Sequence, residues 1–548
     1  SGNLTLSASP VIPGISYAFD SSSVGAGTAV NLTINVGSDA HPGTYPINVQ
    51  ASGGGLIRST NFRLTVYGPS IASVPQDLSR SSGFSSIQNG LKTDQSGTVH
   101  LVYDDDTAVA AGGGQVLYRK SNDGGVTYSD PVVISTNPGS SGQSTLALDS
   151  SGDLLVTYLT LDSATGNTQA FFSRSTDHGG TFSSPAVVSP VSDLAQLPIV
   201  AAGKNGIVAC YVQVTNSASN LVVATSADGQ TFSKAIKVSG PGQIVDLFTT
   251  SIGADSQGAV YIAYNTVQKG LEAVEMVEAA DGVHFGSPTI VSDPTIEAFQ
   301  PAMAIDSSGG IYVAFTDLVL AGAQSSQIFL THSCDHGASF SVPVPVSKTS
   351  GNAQLPALGL DANGGVYVAW EDTTGNSQLD VFAARSMDAG VTFDQSRNLS
   401  ANFGVSAQPA VALDGRGNFI VAWTDDSWED TEIVSSNVPL LLPPSGPDFE
   451  LVASQPELTI LPSGKGVVSF LIGRTAGFSG SVTVTPPNTS ALKLILQPAS
   501  AATTCTSVSF NFKSKRSLVG TTQLVFTAKD SSGRTRTAMV ELVVKSEP

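Results

Sequence analysis

From residue 91 to residue 423 one alternation of apolar and polar positions keeps returning. An apolar strand runs into a D-x-x-G turn, and a second apolar strand ends on an aromatic. The copies read LKTDQSGTVHLVY (91–103), LALDSSGDLLVTY (146–158), IVAAGKNGIVACY (199–211), IGADSQGAVYIAY (252–264), MAIDSSGGIYVAF (303–315), LGLDANGGVYVAW (358–370) and VALDGRGNFIVAW (411–423). Seven copies recur every 51 to 55 residues, and the third has Gly203 in place of the turn aspartate. Period-two alternation predicts strands, and a repeat of this length predicts an array of small sheets. One stretch conflicts with the register: LEAVEMVEAADG (271–282) carries Glu272, Glu275 and Glu278 at helical spacing. The repeat places it as the third strand of the fourth unit, and register outweighs local propensity, so a strand is predicted.

Between these copies lies a second signature, S-x-D-x-G-x-T-aromatic, in SNDGGVTY (121–128), STDHGGTF (175–182), SCDHGASF (333–340) and SMDAGVTF (386–393). Shorter forms are SADGQTF (226–232) and AADGVHF (279–285). An aspartate in such a turn accepts bonds from turn amides, and the glycine takes positive φ, so Asp123, Asp177, Asp228, Asp281, Asp335 and Asp388 read as structural. The signature resembles the Asp boxes (BNR repeats) of sialidase-like β-propellers, over roughly residues 70 to 438. The resemblance implies an all-β fold of four-stranded blades. The seventh unit ends after TEIVSSNV (431–438) with no box, while SIASVPQDLS (70–79) looks like the fourth strand of the other units. A seven-bladed ring closed by that N-terminal strand is therefore expected across 69–438, although sialidases themselves resemble a six-bladed ring.

Residues 448–548 alternate apolar positions between regular turns and predict an immunoglobulin-like sandwich. Residues 1–68 match its later part, SGNLTLSAS against FSGSVTVTP and STNFRLTVY against RTAMVELVV, and read as a partial copy cut from a longer chain. The modules resemble Ig-like repeats of bacterial secreted and cell-surface proteins. Residues 439–447 form a Pro-rich linker.

Only 13% of residues are charged, the net charge is −19, and 41% are hydrophobic, which excludes disorder. An acidic surface argues against nucleic acid and against anionic lipid as partners. No apolar run reaches membrane-spanning length, so no membrane insertion is expected. Cys210, Cys334 and Cys505 have no spacing that supports a disulfide framework or a zinc site. A secreted or cell-surface monomer is the expectation, resting on architecture alone.

The boxes and the D-x-x-G turns fall on one face of such a ring. The opposite face, built from the loops after strands two and four, is where the resemblance places an active site. Two positions after the strand-two aromatic the units read Asp105, Thr160, Gln213, Thr266, Asp317, Asp372 and Asp425. The carboxylates fall on four consecutive blades, and Asp104, Asp106, Glu371, Asp426, Glu429 and Asp430 add to them. Such an arc raises its members' pKa values or takes a cation, a structural or ligand-bridging calcium among the choices. The competing account is a solvated rim, or aspartates capping their own turns. Trp428 breaks the repeat inside DDSWEDTE, and an indole beside acidic groups suits a sugar, which makes Asp105, Asp317, Asp372, Asp425, Asp426, Trp428 and Glu429 the candidate ligand set. A second ring, Gln88, Gln143, Gln196, Gln300, Gln354 and Gln408, is expected to line the channel mouth.

Sialidase chemistry, which the resemblance ties to an arginine triad and a Tyr nucleophile, lacks its residues. Arg119, Arg174 and Arg385 precede boxes, Arg416 lies in a turn, Arg397 is in a fourth strand, and the last tyrosine is Tyr367 in a strand. No catalytic residue is assigned and no cofactor is required. The leading expectation is a non-catalytic extracellular propeller that binds carbohydrate or a protein partner. The alternatives are a glycoside hydrolase using a carboxylate pair, and a structural module of a large surface protein.

Overall fold

The computed structural model describes the chain apart from residues 1–3, 10–13, 26–27, 38–42, 55, 67–74, 108–112, 216–217, 269, 294–296, 319–324, 375–377, 403, 415–417, 428–429, 440–447, 456, 476–477, 488–493, 499, 504, 506, 515–518 and 546–548. The linker expected at 439–447 thus falls almost wholly outside the described residues, as do Arg416 and residues 70–74 of the expected closing strand.

The repeat folds into seven consecutive antiparallel sheets, here numbered one to seven in chain order. Sheet four is Ile244–Ala254, Val260–Gln268, Leu271–Ala279 and Thr289–Ile290. The glutamate-rich stretch is therefore a strand, with Glu275 on it buried and bonded by the Tyr264 hydroxyl at 2.9 Å. The innermost strands of neighbouring sheets touch in sequence, and Leu91–Thr93 of sheet one meets both Ser141–Leu148 of sheet two and Ser406–Asp414 of sheet seven. The array closes on itself as a propeller.

Each sheet is apolar on both faces because both are covered by neighbours. Leu101 and Tyr103 of sheet one, for example, share a cluster with Ala410, Ile420 and Ile433 of sheet seven. The S-x-D-x-G-x-T turns add a lock to six of the seven seams. In the second of them Thr181 N–H and Oγ1 donate to Asp177 at 2.8 and 2.7 Å, and Gly179 N–H donates to Ser175 Oγ at 2.8 Å. These bonds hold the Asp177 carboxyl down to about 2, Thr181 supplying the largest share. Gly179 has φ +81°, and a Cβ there would stand 2.1 Å from the Tyr118 ring of sheet one, so the turn presses on its neighbour. Phe182 completes the contact, edge-on to Tyr118 at 5.3 Å.

Sheet seven is completed by Gln76–Asp77, which pairs with Glu432–Pro439 through Val434↔Asp77 and Ser435↔Gln76. A serine after each outermost strand accepts a bond from a third-strand amide. The pairs are Ser135/Val116, Ser189/Ala170, Ser239/Leu221, Ser292/Val274, Ser347/Ile328 and Ser400/Val381, at 2.8–3.2 Å. Sheet seven has the same staple from the other end of the chain, Ser79 Oγ to Ile433 N–H at 2.7 Å. Ser79 also bonds Glu432, and its carbonyl accepts from Arg119 at 3.0 Å.

The C-terminal residues form a sandwich of a four-stranded and a five-stranded sheet over one core that includes Phe449, Phe470, Phe510 and Phe526. The N-terminal residues form a four-stranded sheet beside the pair Ile15–Phe19 and Leu32–Val36, with Ile15 and Ile47 between them. The cysteine expectation is corrected: Cys334, in the turn of sheet five, and Cys505, in the sandwich, form a disulfide across 171 residues. Spacing could not reveal it, because the two residues meet only once both modules are folded. Beside it Arg474 N–H donates to the Asp388 carbonyl at 3.2 Å, so the sandwich sits on the turn-bearing face of sheets five and six. The opposite, loop-bearing face is left clear of it.

Two outcomes test this account. Ser79→Ala leaves the Ile433 amide without its partner and costs about 1–3 kcal/mol in chemical denaturation, whereas the exposed Ser233→Ala costs little. Cys505→Ser loosens the sandwich by about 2–5 kcal/mol, read as faster hydrogen exchange at the Arg474 amide while amides of sheets one to three keep their protection.

Candidate functional site

The loop-bearing face begins where each first strand enters. In sheets two, three, five, six and seven its pairing skips two residues, as between Gly142 and Thr145 or Phe299 and Ala302. Such bulges free backbone groups, which bond across the seams. Leu197 N–H donates to Gln143 Oε1 at 3.1 Å, Leu355 N–H to Gln300 Oε1 at 3.0 Å, and Gln408 N–H to Glu371 Oε2 at 3.0 Å. The glutamine ring therefore divides: Gln88 and Gln408 line the channel mouth, while Gln143, Gln196, Gln300 and Gln354 tie strands together.

For Asp105, Asp372 and Asp425 the structure corrects the picture of an open arc, because all three are buried and their oxygens are engaged. Asp425 accepts from Trp423 Nε1 at 2.8 Å, Asn402 Nδ2 at 2.7 Å, Ser406 Oγ at 2.8 Å and Ser427 N–H at 2.9 Å. Asp372 accepts from Trp370 Nε1 at 3.1 Å, Thr349 Oγ1 at 2.5 Å and Thr374 N–H at 2.8 Å. Asp105 accepts from Ser85 Oγ at 2.9 Å and Thr107 N–H at 2.8 Å. These are turn caps. Asp426 is exposed and caps the Val405 amide. Trp428 and Glu429 lie outside the described residues. The arginines are likewise committed elsewhere: Arg174 pairs with Asp149 and Asp153, Arg385 with Asp394, and Arg119 bonds Tyr103, Ser129 and Ser79.

Asp317 departs from its equivalents. It is 2% exposed, its Oδ1 has no partner among the described residues, and burial, with Asp293 adding, pushes its carboxyl up to about 6. It stands in the seam between sheets four and five, and sheet four is where the repeat is broken. There the first-strand pairing skips four residues, from Val245 to Thr250, and Thr249 takes the place before the turn Asp255 that Gln143, Gln300 and Gln408 occupy before theirs. The wide bulge carries Asp246. Across the sheet Ile244, Val267 and Glu272 lie in one cross-strand row. Glu272 is half-buried, and its carboxyl is pushed up to about 7 by burial, by a hydrogen bond with Asp246 and by the charge of Glu297 on the next sheet. Ile244, Leu247 and Val267 beside it are exposed apolar side chains. Thr249 Oγ1, Thr250 Oγ1, Asn265 Nδ2 and Thr266 Oγ1 of the same sheet are buried with no partner among the described residues. Native proteins leave few such groups, and their gathering marks sheet four as the irregular unit of the ring. Among the described residues no group of three His, Cys, Asp or Glu side chains is arranged to hold a metal ion.

The sequence signal of this cluster was the missing glutamine of the fourth unit, not the periodic aspartates. No family model and no curated protein matches the chain. Solved structures similar to it include a protein of unknown function from Dyadobacter fermentans, 13% identical over 68% of this chain and 100% of that one, with a TM-score of 0.45. A polysaccharide lyase of family PL25, an ulvan lyase, is 11% identical over 66% and 94%, with a TM-score of 0.47. An α-L-arabinanase from Penicillium chrysogenum is 14% identical over 54% and 92%, with a TM-score of 0.38. Two of these three are carbohydrate-active proteins. At this distance they carry no site residue over to this chain.

The caps and the groove respond differently to mutation. Asp425→Ala strands the buried Trp423 Nε1 and Asn402 and costs about 2–4 kcal/mol, whereas Asp317→Asn, which removes a buried charge, leaves the melting temperature at pH 8 unchanged or higher.

Proposed function

We propose that the chain is a seven-bladed, carbohydrate-active propeller of a secreted or cell-surface protein, cleaving glycosidic bonds in the groove between sheets four and five with Glu272 as proton donor. The observation that carries this reading is a half-buried carboxyl, Glu272, beside Asp246 and Glu297 on the loop-bearing face, where burial pushes it up to about 7. Glycoside cleavage needs an acid of that kind for the leaving oxygen and a second, ionised carboxylate for the water or the developing cation. Asp246 holds the proton on Glu272, and Glu297 supplies a further carboxylate on the other side of the seam. The exposed Ile244, Leu247 and Val267 offer the apolar surface on which the C–H face of a sugar packs. The Ig-like sandwich, bolted to the opposite face, leaves this groove accessible to a polymer.

A non-catalytic carbohydrate-binding propeller is the second reading. It is favoured by the direct contact of Asp246 with Glu272, because the paired carboxyl groups of glycosidases stand about 5 Å or more apart.

The test is a glycan array and a hydrolysis screen on one preparation. Turnover that falls as pH rises through about 7 and drops at least ~100-fold in Glu272→Gln supports catalysis. Binding without turnover supports the second reading, and turnover unchanged in Glu272→Gln removes the proton donor. Stability gives a separate check. Between the ordinary glutamate range and about 7 the unfolded chain has released the Glu272 proton and the folded chain still holds it. Stability of the wild type therefore declines across that window relative to Glu272→Gln.

A further inference from the structure

Sheet three departs from the repeat in its first turn. Gly203 stands where Asp149 and Asp255 stand in the sheets on either side, and it pairs directly with Gly206. Lys204 and Asn205 therefore make the bend that three residues make in those sheets, where Asp149 N–H bonds the Asp153 carbonyl and Asp255 N–H the Ala259 carbonyl. The shortened turn is clamped to sheet four. Lys204 N–H donates to the Gly258 carbonyl at 2.9 Å, and Asn205 Nδ2 donates to the Asp281 carbonyl at 2.7 Å. Local charge inverts with the lost aspartate. From Leu194 to Val245 the chain carries Lys204, Lys234 and Lys237 against one acidic residue, Asp228, in a molecule of net charge −19. All three lysines are exposed, and none forms an ion pair among the described residues. Asp228 is turned to its own turn, accepting from the Gln230 and Thr231 amides at 2.9 and 3.3 Å.

Beside this turn, at the seam of sheets three and four, lies a groove of about 390 Å³. Its walls include Asn205, Thr225, Thr231, Ser233, Ile236 and His284, with no carboxylate and no residue of the sandwich. The groove at the seam of sheets one and two, by contrast, has Asp94 and Asp149 in its wall. Lys204 adjoins Asn205 and Lys234 adjoins Ser233, so cations flank a wall of hydroxyl and amide groups. Ile236 is 50% exposed and offers an apolar surface beside them. Hydroxyls and amides suit sugar hydroxyls, an aliphatic side chain suits the C–H face of a sugar ring, and ammonium groups act as point charges for anions. A nucleic acid fits less well, because no Phe, Tyr or Trp lines the groove to stack a base. We propose that this groove binds an anionic glycan chain, with sugar hydroxyls on Asn205, Thr231 and Ser233 and carboxylate or sulfate groups on Lys204 and Lys234. The site goes beyond the reading given above. It lies past the far end of strand Leu271–Ala279 from Glu272, and seven residues of strand separate Glu272 from Ala279 by about 23 Å.

The probes are oligogalacturonate and a dextran sulfate oligosaccharide of matched length, with dextran as the neutral chain and polyglutamate as an anion without sugar. Each is titrated into the full chain by calorimetry at low and at physiological salt. At least one anionic glycan is expected to bind saturably, at least tenfold more tightly than dextran or polyglutamate, and to weaken as salt rises. The arm that binds tells carboxylate from sulfate. Lys204→Gln combined with Lys234→Gln is expected to weaken binding at least tenfold at an unchanged melting temperature. Lys465→Gln combined with Lys513→Gln, an exposed cross-strand pair in the sandwich, leaves binding as it was, and so does Glu272→Gln. The proposal is overturned if neither anionic glycan binds saturably, if dextran or polyglutamate binds as tightly, or if the Lys204 and Lys234 double variant retains the wild-type affinity. Loss of binding in the sandwich double variant or in Glu272→Gln overturns it as well, by moving the ligand elsewhere. A marked fall in melting temperature of the Lys204 and Lys234 variant does the same, by making these lysines structural.

Discussion

Everything in the ring depends on one requirement: a small sheet that is apolar on both faces must find a neighbour on each side. Tyr103, Tyr158, Tyr211, Tyr264, Phe315, Trp370 and Trp423 are each fully buried at a seam, and an open array would leave two such faces in water. Burying a large side chain is worth roughly 1.5–3 kcal/mol, so the two faces of an unclosed array would outweigh a domain's typical margin of stability. Closure falls to Gln76–Asp77 and Ser79, which join residues more than 350 positions away in sequence through Ser79 and Ile433. The serine that staples every other sheet from within is thus supplied to the seventh by the opposite end of the ring segment.

Closure also decides what the two faces are. The S-x-D-x-G-x-T turns press glycine backbone against the neighbouring sheet, as Gly179 does on Tyr118 and Gly337 on Met276, and so are fully occupied by structure. Their face then takes the sandwich through Arg474 and the Cys334–Cys505 bond. The loop-bearing face is left clear of the sandwich, and on the proposed reading chemistry falls there at positions where the repeat is not busy holding itself together. Sheet four is that place because its wide bulge carries Asp246 and Leu247 outward instead of using a glutamine to bond the next sheet.

The parts of this architecture that repeat were legible in the sequence, since each copy reinforces the others. The strand at Leu271–Ala279 was resolved against its own glutamate spacing on that basis. The role of the periodic aspartates was not legible, because the same residue type at the same position serves as a cap or as an open carboxylate according to what surrounds it. Asp425 has Asn402, Ser406 and Trp423 within bonding distance, and Asp317, two residues after Phe315, keeps an oxygen without a partner. The pairing of tryptophan with aspartate two residues on, Trp370 with Asp372 and Trp423 with Asp425, was the available hint that those aspartates face inward. Cys334 and Cys505 carried no hint at all, because the distance that joins them belongs to the docking of two modules.

Electrostatics on the loop-bearing face work against the count of charges. A chain of net charge −19 repels anions at long range, and the Debye length at physiological salt, about 8 Å, confines that repulsion to the neighbourhood of each exposed carboxylate. On this face burial pushes three carboxyl groups up, Glu272 to about 7 with Asp246 and Glu297 adding, Asp317 to about 6 with Asp293 adding, and Asp104 to about 6 by burial alone. Near neutral pH the groove is therefore less negative than its residues suggest, and the mouth beside it holds an ammonium with no carboxylate against it. An acidic polymer approaching from solvent would meet repulsion over most of the molecule and least of it there. On the proposed reading, the proton that would make Glu272 a donor also lowers the barrier to an anionic ligand, which ties catalysis and ligand choice to one titration.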